Sequence, residues 1–437
     1  MFKKQNEGGL FCIGPHSEAA KLTYLGLYAQ QHKGKQNTGI SSSDDKRIVS
    51  RCGTGIVREV FSEQKIQELR GNFAIGQISY SRHEDTEEND RHPFTFRSSK
   101  GPFSIVFNGC LHNGNELREQ LSLEGSIFQG DSDAELIGHL IAKSRASDIA
   151  QATQGVLSVI TGAYAFMVLL TDDILLIRDP LGYRPLAYAK KENLNGALCT
   201  VVASETCSFD LIEATYVGEV PCGLVVRLKS LFPIPLLNNT QHCSFEVASL
   251  ARPDSWVYGH PTIELRERLG KALAQEYPLS ADYVIPMSDS SVPAAITYAE
   301  IRGIKFRQGI TRNHYLPPID GSAAVPLRYN PSRWLIEDKD IILIINYIFR
   351  GKSCKKMVEL LRNRKPHSIK VLVTCPPHIQ TCQNGVDIPP REELLAVTNR
   401  TEEIRKFIQA DSFGHLSLSA YCTALEHPDK YCIACFQ

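Results

Sequence analysis

Apolar positions fall into two regimes along the chain. From Leu10 to about Val226, short runs with strand character mix with helical stretches. Gly162 to Leu170, the polar turn Thr171-Asp172-Asp173 and Ile174 to Ile177 predict a hairpin of largely buried strands. Between Glu135 and Lys143, the 3.6-residue period puts Leu136, Ile137, Leu140 and Ile141 on one helical face. Sheets covered by helices are the expected outcome. Residues 228 to 260, with Pro233, Pro235, Asn238-Asn239 and Pro253, have the composition of a connector.

Beyond the connector the pattern becomes strand, helix, strand. Asp282 to Met287 predicts a strand, a helix opens near Pro293, and Lys305 to Ile310 predicts a second strand. Asp340 to Asn346, the helical stretch Ser353 to Arg364, and Ser368 to Thr374 repeat the alternation. Such alternation predicts a doubly wound parallel sheet, whose ligands sit beyond the carboxyl ends of the strands. The loop from Asn346 to Ser353 is therefore the place to look for phosphate chemistry.

A chain of 437 residues with 43% hydrophobic and 22% charged residues has the composition of a soluble multidomain protein. Lys+Arg and Asp+Glu balance at 48 each, which argues against nucleic acid or an acidic membrane as partner. The first nine residues contain no apolar signal core, and the run Ile341 to Ile345 is far too short to span a bilayer, so a cytoplasmic location is expected. Thirteen cysteines, an odd number, argue for reduced thiols rather than a disulfide framework.

Six ordered segments carry a specific resemblance. They are Gly8-Gly-Leu-Phe11, Leu22 to Gly34, Asn108-Gly109, Ser132-Asp133, Asp179 to Leu186 and Val202 to Asp210. Together they resemble the glutaminase half of the amidophosphoribosyltransferases, the glutamine phosphoribosylpyrophosphate amidotransferases. The resemblance implies an α/β fold class: an α+β N-terminal nucleophile hydrolase αββα sandwich, then a type I phosphoribosyltransferase doubly wound parallel sheet. It implies a glutaminase-like domain over 1–235, a phosphoribosyltransferase-like domain over 236–410 and a cysteine-bearing tail over 411–437. In that family an amino-terminal Cys, activated by its own free amine, attacks glutamine.

Here Gly8 stands at the nucleophile position, so no catalytic residue is expected. Cys12 lies four residues along the same strand, roughly 13 Å away at about 3.3 Å per residue, and reads as a buried thiol. Ser79 replaces the Arg that the resemblance implies for the glutamine carboxylate, and Lys33 and Lys35 replace an Arg and a Gln. The residual glutamine-site residues are Asn108 and Gly109, which the resemblance assigns to the oxyanion hole, and Asp133, assigned to the substrate amine. Each has a plainer reading: Asn108-Gly109 is also a turn dipeptide, and Ser132 or Asp133 also caps the following helix.

The second half continues the resemblance through Ala251 to Ser255, Asp289-Ser290-Ser291 and Thr311 to Tyr315. The family's strand ends in two acidic residues that hold ribose hydroxyls, before a loop of small residues that cradles phosphate. Here Ile345 and Asn346 take the acidic places, Tyr347 replaces a small Ser, and Lys352-Ser353 replaces a Thr pair. Arg350 and Gly351 match, and with Asp289 and Ser290 they form the residual phosphoribosyl site, although an Arg after a strand is also an ordinary solvated charge. The losses weaken the case for magnesium. Leu316-Pro-Pro-Ile-Asp-Gly321 is shorter and stiffer than the mobile loop the family places there.

Cys432 and Cys435, in a Cys-x-x-Cys tail, with Cys243 and Cys382 match the four ligand positions of the iron-sulfur subgroup. The set implies a [4Fe-4S] cluster, with zinc as the alternative for a Cys-x-x-Cys alone. The expectation is a catalytically degenerate homologue: a structural or regulatory subunit, in a homo-oligomer (dimer or tetramer) or a hetero-oligomer with an intact sister enzyme, with a nucleotide as possible ligand. The alternatives are a repurposed enzyme using ammonia or another substrate, with Cys110, His112, His83 or His314 as reactive groups, and a redox sensor reporting through the cluster.

Overall fold

The computed structural model describes residues 7–80, 91–193, 196–231, 239–313 and 324–437. His83, His314, the Leu316 to Gly321 run and the connector residues Pro233, Pro235 and Asn238 lie outside them. The chain divides into two compact units. The first comprises residues 1–242, 256–260 and 383–387, and the second 243–255, 261–382 and 388–437.

Among the described residues, twelve strands build the two large sheets of the first unit: β1 (Glu7–Gly14), β2 (Asn37–Ser43), β3 (Ile48–Thr54), β4 (Phe73–Tyr80), β5 (Phe94–Ser98), β6 (Gly101–Leu111), β7 (Gly162–Leu169), β8 (Ile174–Arg178), β9 (Ala187–Glu192), β10 (Leu198–Ala203), β11 (Thr215–Glu219) and β12 (Val225–Arg227). They form a seven-stranded sheet, β11-β9-β10-β1-β4-β2-β3, and a five-stranded sheet, β12-β8-β7-β6-β5. The predicted hairpin is the antiparallel pair β7–β8, with Ala165 opposite Arg178 and Leu169 opposite Ile174.

Period-two alternation splits the apolar residues of these strands between two faces. Leu10, Cys12, Ile75, Val106, Met167 and Ile174 meet in a core between the sheets. Phe11, Ile13, Ile40 and Ile78 point the other way, onto Leu22 and Leu27 of the helix Ala19–Ala29. Phe103, Phe107, Phe166 and Leu175 pack on Leu136, Ile137 and Ile141 of the helix Asp133–Lys143. Three cores between four layers define an αββα sandwich.

The second unit carries a parallel five-stranded sheet, ordered Lys305–Phe306, Tyr283–Pro286, Asp340–Ile345, Ser368–Val373, Ser412–His415. Ile341, Leu343, Ile345, Ile369 and Val371 are buried against Met357, Val358 and Leu361 of the helix Lys352–Arg362. The helix that opens at Pro293 runs Val292–Arg302, with the proline in its first turn, where its missing N–H costs nothing. No helix among the described residues is long and apolar enough to cross a membrane.

Candidate functional sites

Gly8 lies buried in β1, opposite Ser79 of β4. Its N–H donates to Asn108 Oδ1 at 3.3 Å, so it sits beside the residual oxyanion residues. A Cβ on Gly8 would stand 2.3 Å from the Ile78 carbonyl oxygen and 3.3 Å from Ser79 Cα, both backbone atoms. Position 8 thus has no room for any side chain without a shift of β4. Ser79 is buried too, and its carbonyl accepts from the Lys35 and Gln36 N–H groups at 3.1 and 3.2 Å.

Asn108 is 2% exposed on β6, opposite Ala165. Gly109 follows with φ +140°, where a Cβ would meet the Ala163 carbonyl oxygen at 2.1 Å. The pair therefore sits within the β6–β7 ladder rather than in a turn. Asp133 opens its helix, and its carboxylate accepts the Leu111 N–H at 2.9 Å. Ser132 caps the same helix by accepting from the Ala134 N–H at 3.2 Å. Cys12 is fully buried in register with Ile75 and Val202, and burial pushes its thiol up, away from the nucleophilic thiolate. Cys110 is buried with its Sγ 3.7 Å from the Leu111 carbonyl, and His112 Nε2 lies 3.1 Å from Asn384 Oδ1.

One charged group here has no local sign in the sequence. The Glu205 carboxylate is wholly buried, 3.0 Å from Lys33 Nζ and 2.8 Å from His32 Nε2. Lys33, the residue standing for an implied Arg, serves as counter-ion to this carboxylate, a pairing that a buried charge requires.

In the second unit a cavity of about 760 Å³ opens at the carboxyl ends of the strands Tyr283–Pro286 and Asp340–Ile345. Its walls include Ser288, Ser290, Asn346, Tyr347, Arg350 and Lys352, together with Gly351. Ile345 and Asn346 are both buried. Asn346 Nδ2 donates to Ser249 Oγ at 3.5 Å, and its carbonyl accepts from Thr374 Oγ1 at 3.4 Å. Tyr347 packs on Phe245 and Phe349, with ring centroids 5.0 and 4.6 Å away. Asp289 is not part of the lining; its carboxylate pairs with Arg312 at 3.1 Å. Arg350 pairs with Glu393.

Cys243, Cys382, Cys432 and Cys435 are all partly buried and unbridged in the second unit. Burial, and then the nearby Cys243, Cys382 and Cys432, push the Cys435 thiol far up, so Cys435 lies close to the other three sulfurs. The Cys435 carbonyl accepts from the Ile379 and Gln380 N–H groups, and the Cys432 carbonyl from Ser244 Oγ at 2.9 Å. Among the described residues no three His, Cys, Asp or Glu side chains converge tightly enough to hold a single metal ion.

The fold and these sites define a class II glutamine amidotransferase sandwich joined to a phosphoribosyltransferase-type parallel sheet. The profile of the glutamine amidotransferase domain matches residues 77–210. An amidophosphoribosyltransferase of Methanothermobacter thermautotrophicus is 35% identical over 94% of this chain and 89% of its own length. The Bacillus subtilis amidophosphoribosyltransferase is 34% identical over 98% and 93%, and the Arabidopsis thaliana chloroplastic amidophosphoribosyltransferase 2 is 37% identical over 99% and 79%. A solved structure described as the allosteric regulatory enzyme of purine biosynthesis superposes with a TM-score of 0.91 at 33% identity, covering 98% of this chain and 95% of that one. The chain belongs to the amidophosphoribosyltransferase family.

Proposed function

We propose that this chain is a noncatalytic member of the family, a structural or regulatory subunit in purine biosynthesis that keeps the architecture and has lost both reactions. The observation that carries this reading is position 8. Amide hydrolysis in the family needs a thiol there, and the chain has a hydrogen atom facing the Ile78 carbonyl oxygen at a spacing that no Cβ tolerates. The second half supports the same reading independently. Ile345 cannot accept a hydrogen bond from a ribose hydroxyl, and Tyr347 puts a ring where a small residue would let phosphate approach.

On this reading the first unit is a glutaminase-like domain in which Asn108, Gly109 and Asp133 are retained as structure. Asn108 and Asp133 both spend side-chain oxygens on backbone N–H groups of their own unit. Asp289, Ser290, Arg350 and Gly351 are what is left of the phosphoribosyl site in the second.

Cys243, Cys382, Cys432 and Cys435 fit a [4Fe-4S] cluster better than zinc. Zinc draws four ligands to about 2.3 Å from one point, whereas cluster thiolates each bind a different iron and stand further apart. When bound, the cluster supplies structural cross-linking of segments distant in sequence. A solved relative from Bacillus subtilis, 33% identical with a TM-score of 0.89, is described as complexed with ADP and GMP. That supports a nucleotide as the ligand of a regulatory subunit, and oligomerisation with itself or an intact sister enzyme completes the picture.

The test is direct. Purified protein, assayed beside an intact relative for glutamate release from glutamine and for phosphoribosyl pyrophosphate consumption with ammonia, is expected to fall at least about 10⁴-fold below it in both. Turnover near the relative's rate in either assay overturns the reading.

A further inference from the structure

Tyr421, in the helix Leu418–Ala424 of the second unit, is wholly buried, and among the described residues its hydroxyl has no hydrogen-bond partner. A buried phenol usually donates to something, because an unmet hydroxyl has lost its water and gained no replacement. Its surroundings show what is missing. The ring stands edge-on to Phe436, the residue after Cys435, with centroids 5.1 Å apart. Ser244, the residue after Cys243, is also a neighbour, but outside hydrogen-bonding distance, and its own proton goes to the Cys432 carbonyl at 2.9 Å. Burial, and then Cys375, hold the phenol well above its ordinary pKa, with Cys435 and Cys243 acting in the same sense. The hydroxyl therefore keeps its proton and lies within electrostatic reach of three sulfurs.

Those sulfurs are unequal acceptors. Cys375 is itself fully buried, its thiol pushed up to about 12 by that burial, and a neutral thiol accepts weakly. Cys435 and Cys243 belong to the ligand set, and a thiol that binds a metal is deprotonated outright, which makes its sulfur a charged acceptor. We infer that the Tyr421 hydroxyl donates to a thiolate of the Cys243–Cys435 pair when that pair holds iron, and so raises the reduction potential of the cluster. The inference rests on the cluster reading above. Hydrogen bonds to the sulfurs are among the terms that set such potentials, and a donor favours the more negative, reduced state over the oxidised one. Because the hydroxyl is paired only with iron in place, its loss costs the iron-free chain nothing.

The full chain, parent and Tyr421→Phe, is purified anaerobically and titrated with dithionite, which supplies the single electron, while visible absorbance and electron paramagnetic resonance report the reduced fraction. Tyr421→Phe is expected to hold as much iron as the parent and to be about tenfold harder to reduce, a fall of about 59 mV for a one-electron couple. After iron removal its urea midpoint should be no lower than the parent's. Tyr298→Phe is the control. Tyr298 is equally buried but donates to the Tyr277 carbonyl at 2.7 Å, so its loss should lower the midpoint and leave the potential unmoved. An unmoved potential in Tyr421→Phe, failure of that variant to assemble the cluster, or a lower midpoint without iron overturns the inference. Iron in the parent separates the two claims: a parent without iron sinks the cluster reading and this role with it, whereas iron present with an unmoved potential sinks the role alone.

Discussion

Restoring a thiol at position 8 is the sharpest test at the residue scale. Gly8→Cys is expected to give no glutaminase activity and to destabilise the protein by about 1–3 kcal/mol, because the added Cβ meets the Ile78 carbonyl oxygen and Ser79 Cα rather than open space. A urea midpoint equal to that of the parent, or any glutamate release, would contradict it. His378 makes a second case. It is 1% exposed, ringed by Phe245, Phe349 and Phe436, and among the described residues neither ring nitrogen has a hydrogen-bond partner. Burial pushes it down to about 3, from an ordinary value of 6.5. The unfolded chain therefore takes up the proton first, and stability that is complete above about pH 6.5 is lost progressively towards pH 3. At pH 4.5 that loss amounts to about 3 kcal/mol, and His378→Leu should flatten this part of the acid limb in urea titrations at pH 7.5 and 4.5. At single positions such as Gly8, Ser79 and Ile345 the sequence itself shows which side chain stands there, because that takes one letter. The Lys33–Glu205 pair was not legible, since nothing local marks two charges 172 positions apart as neighbours.

Elements followed the apolar period wherever it ran long enough. The helix Asp133–Lys143 buries Leu136, Ile137 and Ile141 as its spacing predicts, and the β7–β8 hairpin closes over its polar turn. Ser132→Ala should cost about 1 kcal/mol through the lost cap on that helix, measured by thermal or urea unfolding. An unchanged midpoint would show that the Ser132 hydroxyl gives the helix no support. Short strands escaped the pattern. Lys305 to Ile310 reads as one strand, yet only Lys305–Phe306 joins the parallel sheet, and Ile310–Arg312 pairs instead with Tyr329–Pro331. The polar break Arg307-Gln308-Gly309 lets the chain change direction there. The edge strand Ser412–His415 holds one large apolar residue, Phe413, too few to establish a period.

For the whole molecule, the cysteine set makes the clearest prediction. Cys435→Ser is expected to abolish bound iron and its visible absorbance, and to lower the thermal transition by about 5 °C or more if the cluster ties the second unit together. Iron analysis and melting of the same preparation check both parts, and full iron content in the variant would remove Cys435 from the ligand set. The two-part architecture was legible because the pattern of apolar runs changes after the connector. The division in space was less so: residues 383–387, one step past Cys382, group with the first unit although the chain around them belongs to the second. A contact formed by a five-residue excursion leaves no periodic signature.

The glycine packed beneath the Ile78 carbonyl also sets a direction in time. An enzyme that loses a nucleophile by one codon change can regain it by the reverse change, so long as the vacated space persists. Here the Ile78 carbonyl oxygen lies 2.3 Å from the point a Cβ at position 8 would occupy, and a codon that placed a cysteine there would produce a damaged protein before it produced a working one. On the noncatalytic reading, a lineage carrying this arrangement would have to shift β4 first, with no catalytic gain to favour the step, so the loss would behave as a ratchet.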